Sequence, residues 1–266
     1  YSYGTYIGAV YAELFPFNVG RLGLDAAVNI TDSDDVIQAM GFDLALGNFA
    51  GWCAENADCD LGSTTDEVLA GITDLLDGLD AQPLAVGDRL LTQSQAVLGI
   101  GQMLYGGKRA WQGLASYVTW ARQGSGEALL WAADQMSARS EDGHFSTMYF
   151  AFPAISCADR PDNGIIDADS VWIDDQGKAP IFGRYFGPQY ACPLWPVRPT
   201  VQLDLRGVGA APILVVGGTG DNATPYQQAV TMADQLESAV LLTYDGEGHG
   251  AYGSKSSCVD RVVVDY

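Results

Sequence analysis

Apolar positions change their spacing along the chain, and these changes divide it into three parts. Residues 6–15 place small and apolar side chains on one side of a predicted helix, and residues 19–28 form a short apolar run typical of a buried parallel strand. From residue 32 to about residue 155, apolar residues recur every three or four positions, which predicts helices. Residues 156–200 are rich in Pro, Gly, Asp and aromatic residues, so we expect irregular structure there.

The helical part contains several separate segments. The first covers residues 68–79, after capping side chains at 64–67 and before Pro83, which ends it. Further helices are predicted over residues 90–104, 111–122 and 126–138.

The last part alternates between strand and helix patterns. Residues 211–218 and 239–244 are apolar runs typical of parallel strands, and residues 224–236 between them form a helix pattern with Pro225 in its first turn. A strand, a helix and a strand at this spacing make a βαβ unit. The sequence therefore predicts an α/β fold built from residues 1–31 and 201–266, with residues 32–200 inserted as a helical region and an irregular return.

The charge balance bears on which partners the protein binds. The 266 residues contain 13 Lys and Arg against 33 Asp and Glu, a net charge of −20. Because phosphate groups are bound by clustered Lys and Arg, this surface disfavours nucleic acid and anionic membranes. We interpret the acidity as an adaptation for solubility, and an acidic site for cationic partners stays open. No run of about 18 apolar residues predicts a membrane span.

The five cysteines predict two disulfides. Cys53 and Cys59 bracket a short polar loop, and Cys157 and Cys192 flank a stretch rich in Pro, Gly and Asp. Cys258 is left over, and we expect its partner beyond the last residue. Disulfides indicate an exported protein, whereas the alternative is five reduced, buried thiols in a cytosolic protein. The absence of a C-x-x-C motif and the presence of only two histidines disfavour zinc, and we predict no metal or cofactor.

Three polar residues stand where an α/β sheet gathers catalytic groups. Tyr1-Ser2-Tyr3-Gly4-Thr5 contains x-S-x-G of the nucleophile turn G-x-S-x-G, whose first glycine would precede Tyr1. Asp221 follows the strand 211–218, and His249 lies in a glycine-rich loop after the strand 239–244. Catalytic groups of open α/β sheets collect at such carboxyl ends of strands.

The residue types fit nucleophilic catalysis. A serine hydroxyl needs a base to remove its proton, and a carboxylate can orient the imidazole that does so. The order Ser2, Asp221, His249 is the order of the α/β-hydrolase triad. Asp221 alone could be only a helix cap. The other histidine, His144, lies in a polar loop and is interpreted as a surface or lid residue.

These residues belong to motifs that run through the whole chain. The chain resembles the secreted tripeptidyl aminopeptidases of actinobacteria, α/β-hydrolases of the prolyl aminopeptidase clan with a TAP-like C-terminal region. The motifs that carry the resemblance are YSYGTY at 1–6, YAELFP at 11–16, Arg21 with LD at 24–25, WC at 52–53, AISCAD at 154–159, CPLWP at 192–196, GTGDNATPY at 218–226, DGEGHG at 245–250 and SCV at 257–259. Ala26 departs from the family pattern, which has glycine there.

The resemblance implies a partial α/β-hydrolase fold, the C-terminal part of the parallel sheet with a large helical cap over the site. It also implies that an N-terminal half precedes Tyr1, with a signal or lipid anchor, further strands and a Gly-rich loop that supplies one oxyanion donor. The backbone N–H of Tyr3 would be the other donor. The implied function is a secreted or cell-envelope serine exopeptidase that releases short peptides, with tripeptides as the expected length, from free N-termini through an acyl-enzyme.

An exopeptidase must also bind the ammonium group of its substrate. We expect a carboxylate near the cap to do so, and Asp159, beside Cys157, is the candidate; the alternative is a loop residue bonded to nearby backbone N–H groups. Two other functions stay open. One is an esterase or lipase with the same triad. The other is a non-catalytic fragment, in which the strand 19–28 and the elements in 206–245 lack partners and expose apolar edges.

Overall fold

A computed structural model describes residues 1–31, 35–160, 164–199, 203–253 and 255–266. The chain divides into two units, one made of Tyr1–Ala45 with Leu203–Tyr266 and the other of Leu46–Gln202. In chain order the helices are α1 Gly4–Leu14, α2 Gln38–Glu55, α3 Thr65–Ala81, α4 Gln93–Tyr105, α5 Lys108–Arg122, α6 Glu127–Met136, α7 Thr147–Asp159, α8 Ile165–Lys178, α9 Phe182–Tyr185, α10 Tyr226–Gln235 and α11 Ser257–Asp265. The strands are β1 Leu22–Asp25, β2 Leu84–Val86, β3 Arg89–Leu91, β4 Ile213–Gly220 and β5 Ala239–Glu247.

The first unit is built on a parallel sheet. Within the described residues the sheet has the strand order β1-β4-β5, and both pairs of neighbours run parallel. The fold is therefore α/β, as the strand and helix patterns predicted. Because β1 pairs with β4 along its whole length, the expectation that the strand within 19–28 lacks a partner is wrong.

Helices cover both faces of this sheet. On one face, Ala9 of α1 and Met232 of α10 pack with Ile213 and Val215 of β4. On the other face, Leu214 and Val216 of the same strand pack with Ala251 and Val259. Successive residues of β4 thus point alternately to two apolar layers, which explains why this strand reads as a continuous apolar run. The first half of β4 is therefore packed on both faces.

The second unit is mainly helical. Thr64 caps α3 by accepting a hydrogen bond from the backbone N–H of Glu67, as predicted, and Thr92 and Gln95 form a capping box at the start of α4. Within the described residues, this unit contains the disulfides Cys53–Cys59 and Cys157–Cys192. Cys258, in the first unit, is an exposed free thiol among the described residues. Across those same residues, no helix is both long enough and apolar enough to cross a membrane.

Two sequence-based expectations about this unit are wrong. The helix predicted over 90–104 begins at Gln93, because β2 and β3 form a hairpin around Gly87, which has a φ of +60°. Residues 156–200 are not irregular throughout, since α8 and α9 lie there. The prolines that suggested irregular structure include Pro180 and Pro188, which follow these two helices instead of interrupting them.

Candidate active site

Asp221 and His249 form a buried pair at the carboxyl ends of two neighbouring strands. Asp221 directly follows β4, and His249 follows β5 by two residues. Nδ1 of His249 lies 2.8 Å from Oδ1 and 3.1 Å from Oδ2 of Asp221. Asp221 is 1% exposed and His249 is 8% exposed. Because a carboxylate only accepts hydrogen bonds, Nδ1 carries the proton, which leaves Nε2 to exchange a proton with a third group.

The Asp221 carboxylate also organises the two loops around it. Oδ1 accepts hydrogen bonds from the backbone N–H groups of Ala223 at 3.0 Å and Thr224 at 2.9 Å, and Oδ2 accepts one from Gly250 at 2.9 Å. Asp221 is therefore a loop cap and the partner of His249 at once, so the two sequence interpretations do not exclude each other. The three N–H donors fix the orientation of the carboxylate toward the imidazole.

Ser2 lies on a strained turn that leads into α1. Its φ is +53°, in the left-handed region that non-glycine residues rarely adopt. The carbonyl of Ser2 accepts hydrogen bonds from the backbone N–H of Thr5 at 2.8 Å and from its hydroxyl at 2.6 Å, and the N–H of Ser2 donates to the carbonyl of Asp25 at 3.0 Å. A positive φ at the serine, with a helix starting two residues later, is the geometry of a nucleophile turn.

Tyr1 brings this turn against the imidazole. The rings of Tyr1 and His249 have centroids 4.9 Å apart and planes inclined at 59°. The carbonyl of His249 accepts hydrogen bonds from the Tyr1 hydroxyl at 3.1 Å and from Nζ of Lys255 at 2.9 Å. Gly250 has a φ of +74°, and a Cβ added there would lie 2.2 Å from the Tyr1 ring. The residue before Ser2 therefore contacts both the ring and the backbone of His249.

The remaining predicted residues have different positions. Tyr3 is the N-terminal cap of α1 with φ −52° and ψ −29°, and the role of its N–H as an oxyanion donor stays a prediction. Asp159 is the last residue of α7, in the second unit, and its role in binding an ammonium group stays a prediction. His144 lies between α6 and α7 with a side chain that is 86% exposed.

Two residues near the pair received no functional role from the sequence, although both lie in motifs that carry the family resemblance. Asp25 ends β1, and its carboxylate accepts hydrogen bonds from the N–H groups of Ala251 and Tyr252. In the sequence Asp25 lies inside the apolar run 19–28, so the search for polar residues after such runs did not select it. Asn222 is fully buried, and neither polar atom of its amide has a hydrogen-bond partner among the described residues. Only the structure reveals that second feature.

The chain is similar to several known proteins. Residues 179–266 match a family model described as TAP-like protein, Abhydrolase_4. Serine protease Hip1 of Mycobacterium tuberculosis is 35% identical over 285 residues, which cover all of this chain and 54% of that protein. Carboxylesterase B of the same species is 34% identical over 269 residues, which cover 96% of this chain and 51% of that protein. Tripeptidyl aminopeptidase of Streptomyces lividans is 28% identical over 279 residues, which cover all of this chain and 51% of that protein.

The chain thus spans about half the length of the curated relatives it matches. The α/β sheet of the chain is consistent with the match of residues 179–266 to the TAP-like family model. Together with these relatives, they support an α/β-hydrolase of the TAP-like family.

Proposed function

We propose that the protein is a serine hydrolase whose triad is Ser2, His249 and Asp221. The observation that carries this proposal is the buried pair of His249 and Asp221, whose imidazole lies against the residue next to Ser2. The positive φ of Ser2 supports the role of this residue as the nucleophile. Relatives whose names include serine protease and tripeptidyl aminopeptidase support the same reaction class.

The reaction follows from the proton positions in this pair. Nε2 of His249 removes the proton from Ser2 Oγ as this oxygen attacks the substrate carbonyl carbon, and Asp221 stabilises the imidazolium that forms. The backbone N–H of Tyr3 is proposed as one donor to the oxyanion. His249 then gives its proton to the leaving amine, which departs and leaves an ester between the acyl group and Ser2. A water molecule, activated by His249, hydrolyses this ester and releases the acid.

The substrate that we propose is a peptide with a free N-terminus, from which the enzyme releases a short peptide, with a tripeptide as the expected length. The relative named tripeptidyl aminopeptidase supports this choice. Asp159 is the proposed partner of the substrate ammonium group. The two disulfides support a secreted or cell-envelope location, since such bonds persist in oxidising compartments.

An esterase is the second candidate, because the relative named carboxylesterase B is 34% identical and the same triad cleaves esters. Paired chromogenic substrates separate the two. We expect turnover of a tripeptide anilide with a free amine and much slower turnover of the same compound when its amine is acetylated. Turnover of simple acyl esters without any turnover of the tripeptide anilide would favour the esterase.

A fluorophosphonate probe tests the triad itself. We expect the probe to label the wild-type protein and not to label the variants Ser2→Ala and His249→Ala. The surface variant Ser63→Ala is the control and should be labelled like the wild type. Labelling that persists in Ser2→Ala would contradict the assignment of the nucleophile. The same probe addresses the non-catalytic alternative, because a protein without activity is not labelled.

For the ammonium site, Asp159→Asn should raise KM for the free-amine tripeptide about tenfold, because a charged hydrogen bond of about 1.5–3 kcal/mol is lost. The acetylated tripeptide is the control, since it carries no ammonium group and its KM should not change. An unchanged KM for the free-amine substrate would remove Asp159 from the proposal.

A further inference from the structure

Asp25 is joined to both loops of the candidate active site. Its backbone carbonyl accepts the hydrogen bond from the N–H of Ser2 at 3.0 Å. Its carboxylate contacts the loop of His249. Both oxygens lie 3.1 Å from the backbone nitrogen of Ala251, and Oδ2 lies 2.9 Å from the backbone nitrogen of Tyr252. One residue at the end of β1 thus holds the turn of Ser2 and the loop of His249 together.

The loop of His249 depends on such side-chain acceptors. Residues 248–253 lie outside the helices and strands, and Gly248, Gly250 and Gly253 all have positive φ. Glycines leave the backbone free to adopt many conformations, so a loop of this composition needs external contacts to hold one of them. Asp221 accepts a hydrogen bond from the N–H of Gly250, and Asp25 accepts hydrogen bonds from the N–H groups of Ala251 and Tyr252. Two carboxylates therefore hold three successive N–H groups of this loop.

Asp25 itself has little freedom to move. It is the last residue of β1 and pairs in register with Val216 of β4. Immediately after it, the N–H of Ala26 donates to the carbonyl of Val216 at 3.1 Å, and Ala26 has a φ of +56°. This turn directs the chain away from the sheet while the carboxylate stays at the strand end. The anchor point for both catalytic loops is therefore part of the sheet.

We propose that Asp25 is a positioning residue that sets the placement of Ser2 relative to His249. It acts through backbone groups of both loops and touches no reacting atom. This inference rests on the proposed function, because it assumes that Ser2 and His249 react together. It predicts that weakening the carboxylate contacts slows the reaction without weakening substrate binding.

The chain offers a matched control for the loss of these contacts. Oε2 of Glu13 accepts two backbone N–H groups, from Arg206 and Gly207, both at 2.8 Å. Glu13→Ala therefore removes a carboxylate that holds two successive backbone groups in the same unit, as Asp25→Ala does, but at the C-terminal part of α1. Asp25→Asn keeps one oxygen acceptor and should restore part of what Asp25→Ala loses.

In the full-length protein, Asp25→Ala should lower kcat and the labelling rate of Ser2 by roughly 10- to 100-fold with KM unchanged, because small displacements of reacting groups have effects of this size. Asp25→Asn should lie between Asp25→Ala and the wild type. Glu13→Ala should lower Tm to a similar extent and leave kcat within about twofold. If Asp25→Ala changes only Tm, as Glu13→Ala does, or changes KM instead of kcat, the inference is wrong.

Hydrogen exchange keeps this test independent of catalysis. Asp25→Ala should speed exchange of the Gly250 amide, which donates to Asp221, and Glu13→Ala should not. A wild-type protein that is neither labelled nor active would contradict the proposed function. In that case, unchanged exchange at Gly250 in Asp25→Ala would also show that Asp25 does not hold the loop of His249, and faster exchange would support only this structural role.

Discussion

Gly250 leaves room for the Tyr1 ring beside His249, and replacing it with alanine measures how far the site depends on that packing. Its φ is +74°, and an added Cβ would lie 2.2 Å from Cε2 of Tyr1. Because carbon atoms pack at about 3.5–4.0 Å, the ring must move by more than about 1 Å. The Tyr1 hydroxyl then leaves the carbonyl of His249, which it contacts at 3.1 Å.

The expected cost of Gly250→Ala has two parts. Alanine in the left-handed region costs about 1–2 kcal/mol. The lost hydrogen bond and ring contact add about 1 kcal/mol, near the lower end of their usual range because Tyr1 is 61% exposed and can turn into solvent. We therefore expect the free energy of unfolding of Gly250→Ala to fall by about 2–3 kcal/mol. Labelling of Ser2 should slow by roughly 100-fold, as for other displacements of about 1 Å near reacting groups.

Gly253→Ala is the matched control. Gly253 has a φ of +95°, and nothing lies within 4 Å of an added Cβ, so this variant has the backbone cost without the collision. Urea unfolding measures stability, and the rate of fluorophosphonate labelling measures the site. The double variant Tyr1→Ala with Gly250→Ala should be less destabilised than the sum of the single changes. Equal stability and equal labelling of Gly250→Ala and Gly253→Ala would refute the reasoning.

Three further predictions concern stability. Hydrogen bonds from Arg89 hold the pKa of Asp134 below its usual value. This pair therefore contributes about 2 kcal/mol to the free energy of unfolding above pH 4, and the contribution is lost as the pH falls through the lowered pKa. The urea midpoints at pH 7 and pH 3 should differ less in Asp134→Asn than in the wild type. Burial, together with a hydrogen bond to Asp77, raises the pKa of Tyr185 to about 12. Stability, followed by circular dichroism, should therefore decline from about pH 10 to pH 12, and it should decline less steeply in Tyr185→Phe. Asn222→Leu should raise the urea midpoint by the equivalent of about 1 kcal/mol. The reason is that it removes two buried polar atoms that have no partner among the described residues. A lower midpoint would contradict this prediction.

The strand ends could be predicted from the sequence because an apolar run and the polar residue after it are adjacent in the chain. Asp221 and His249 were identified in this way, and the structure brings them together. The carboxylate contacts of Asp25 have no local signature, since they join residues separated by 226 and 227 positions. The turn at Ser2 does have a local signature in x-S-x-G, and the structure adds its φ of +53°.

Errors in the helical region have a related physical cause. The strands of the hairpin contain three residues each, too few to show an alternating pattern. Helix α8 mixes Ile165 and Ile166 with several aspartates and has no buried residue, so its apolar spacing is weak. Composition rich in Pro and Gly suggested irregular structure, although many of these residues only separate short helices. Local patterns therefore identify buried elements better than exposed ones.

The separation of the proposed triad residues along the chain has a consequence for the order of folding. Asp221 and His249 lie 28 positions apart in one βαβ unit, whereas Tyr1 and His249 are separated by 248 positions. The entropy of closing the longer loop is greater by about 2 kcal/mol, and the helical insertion lies within that loop. Asp221 and His249 can thus come together within one contiguous segment, and Ser2 joins them when residues 1–31 and 203–266 meet on the sheet. Mutations that slow folding of the insertion should delay fluorophosphonate labelling of Ser2 without preventing contact between Asp221 and His249.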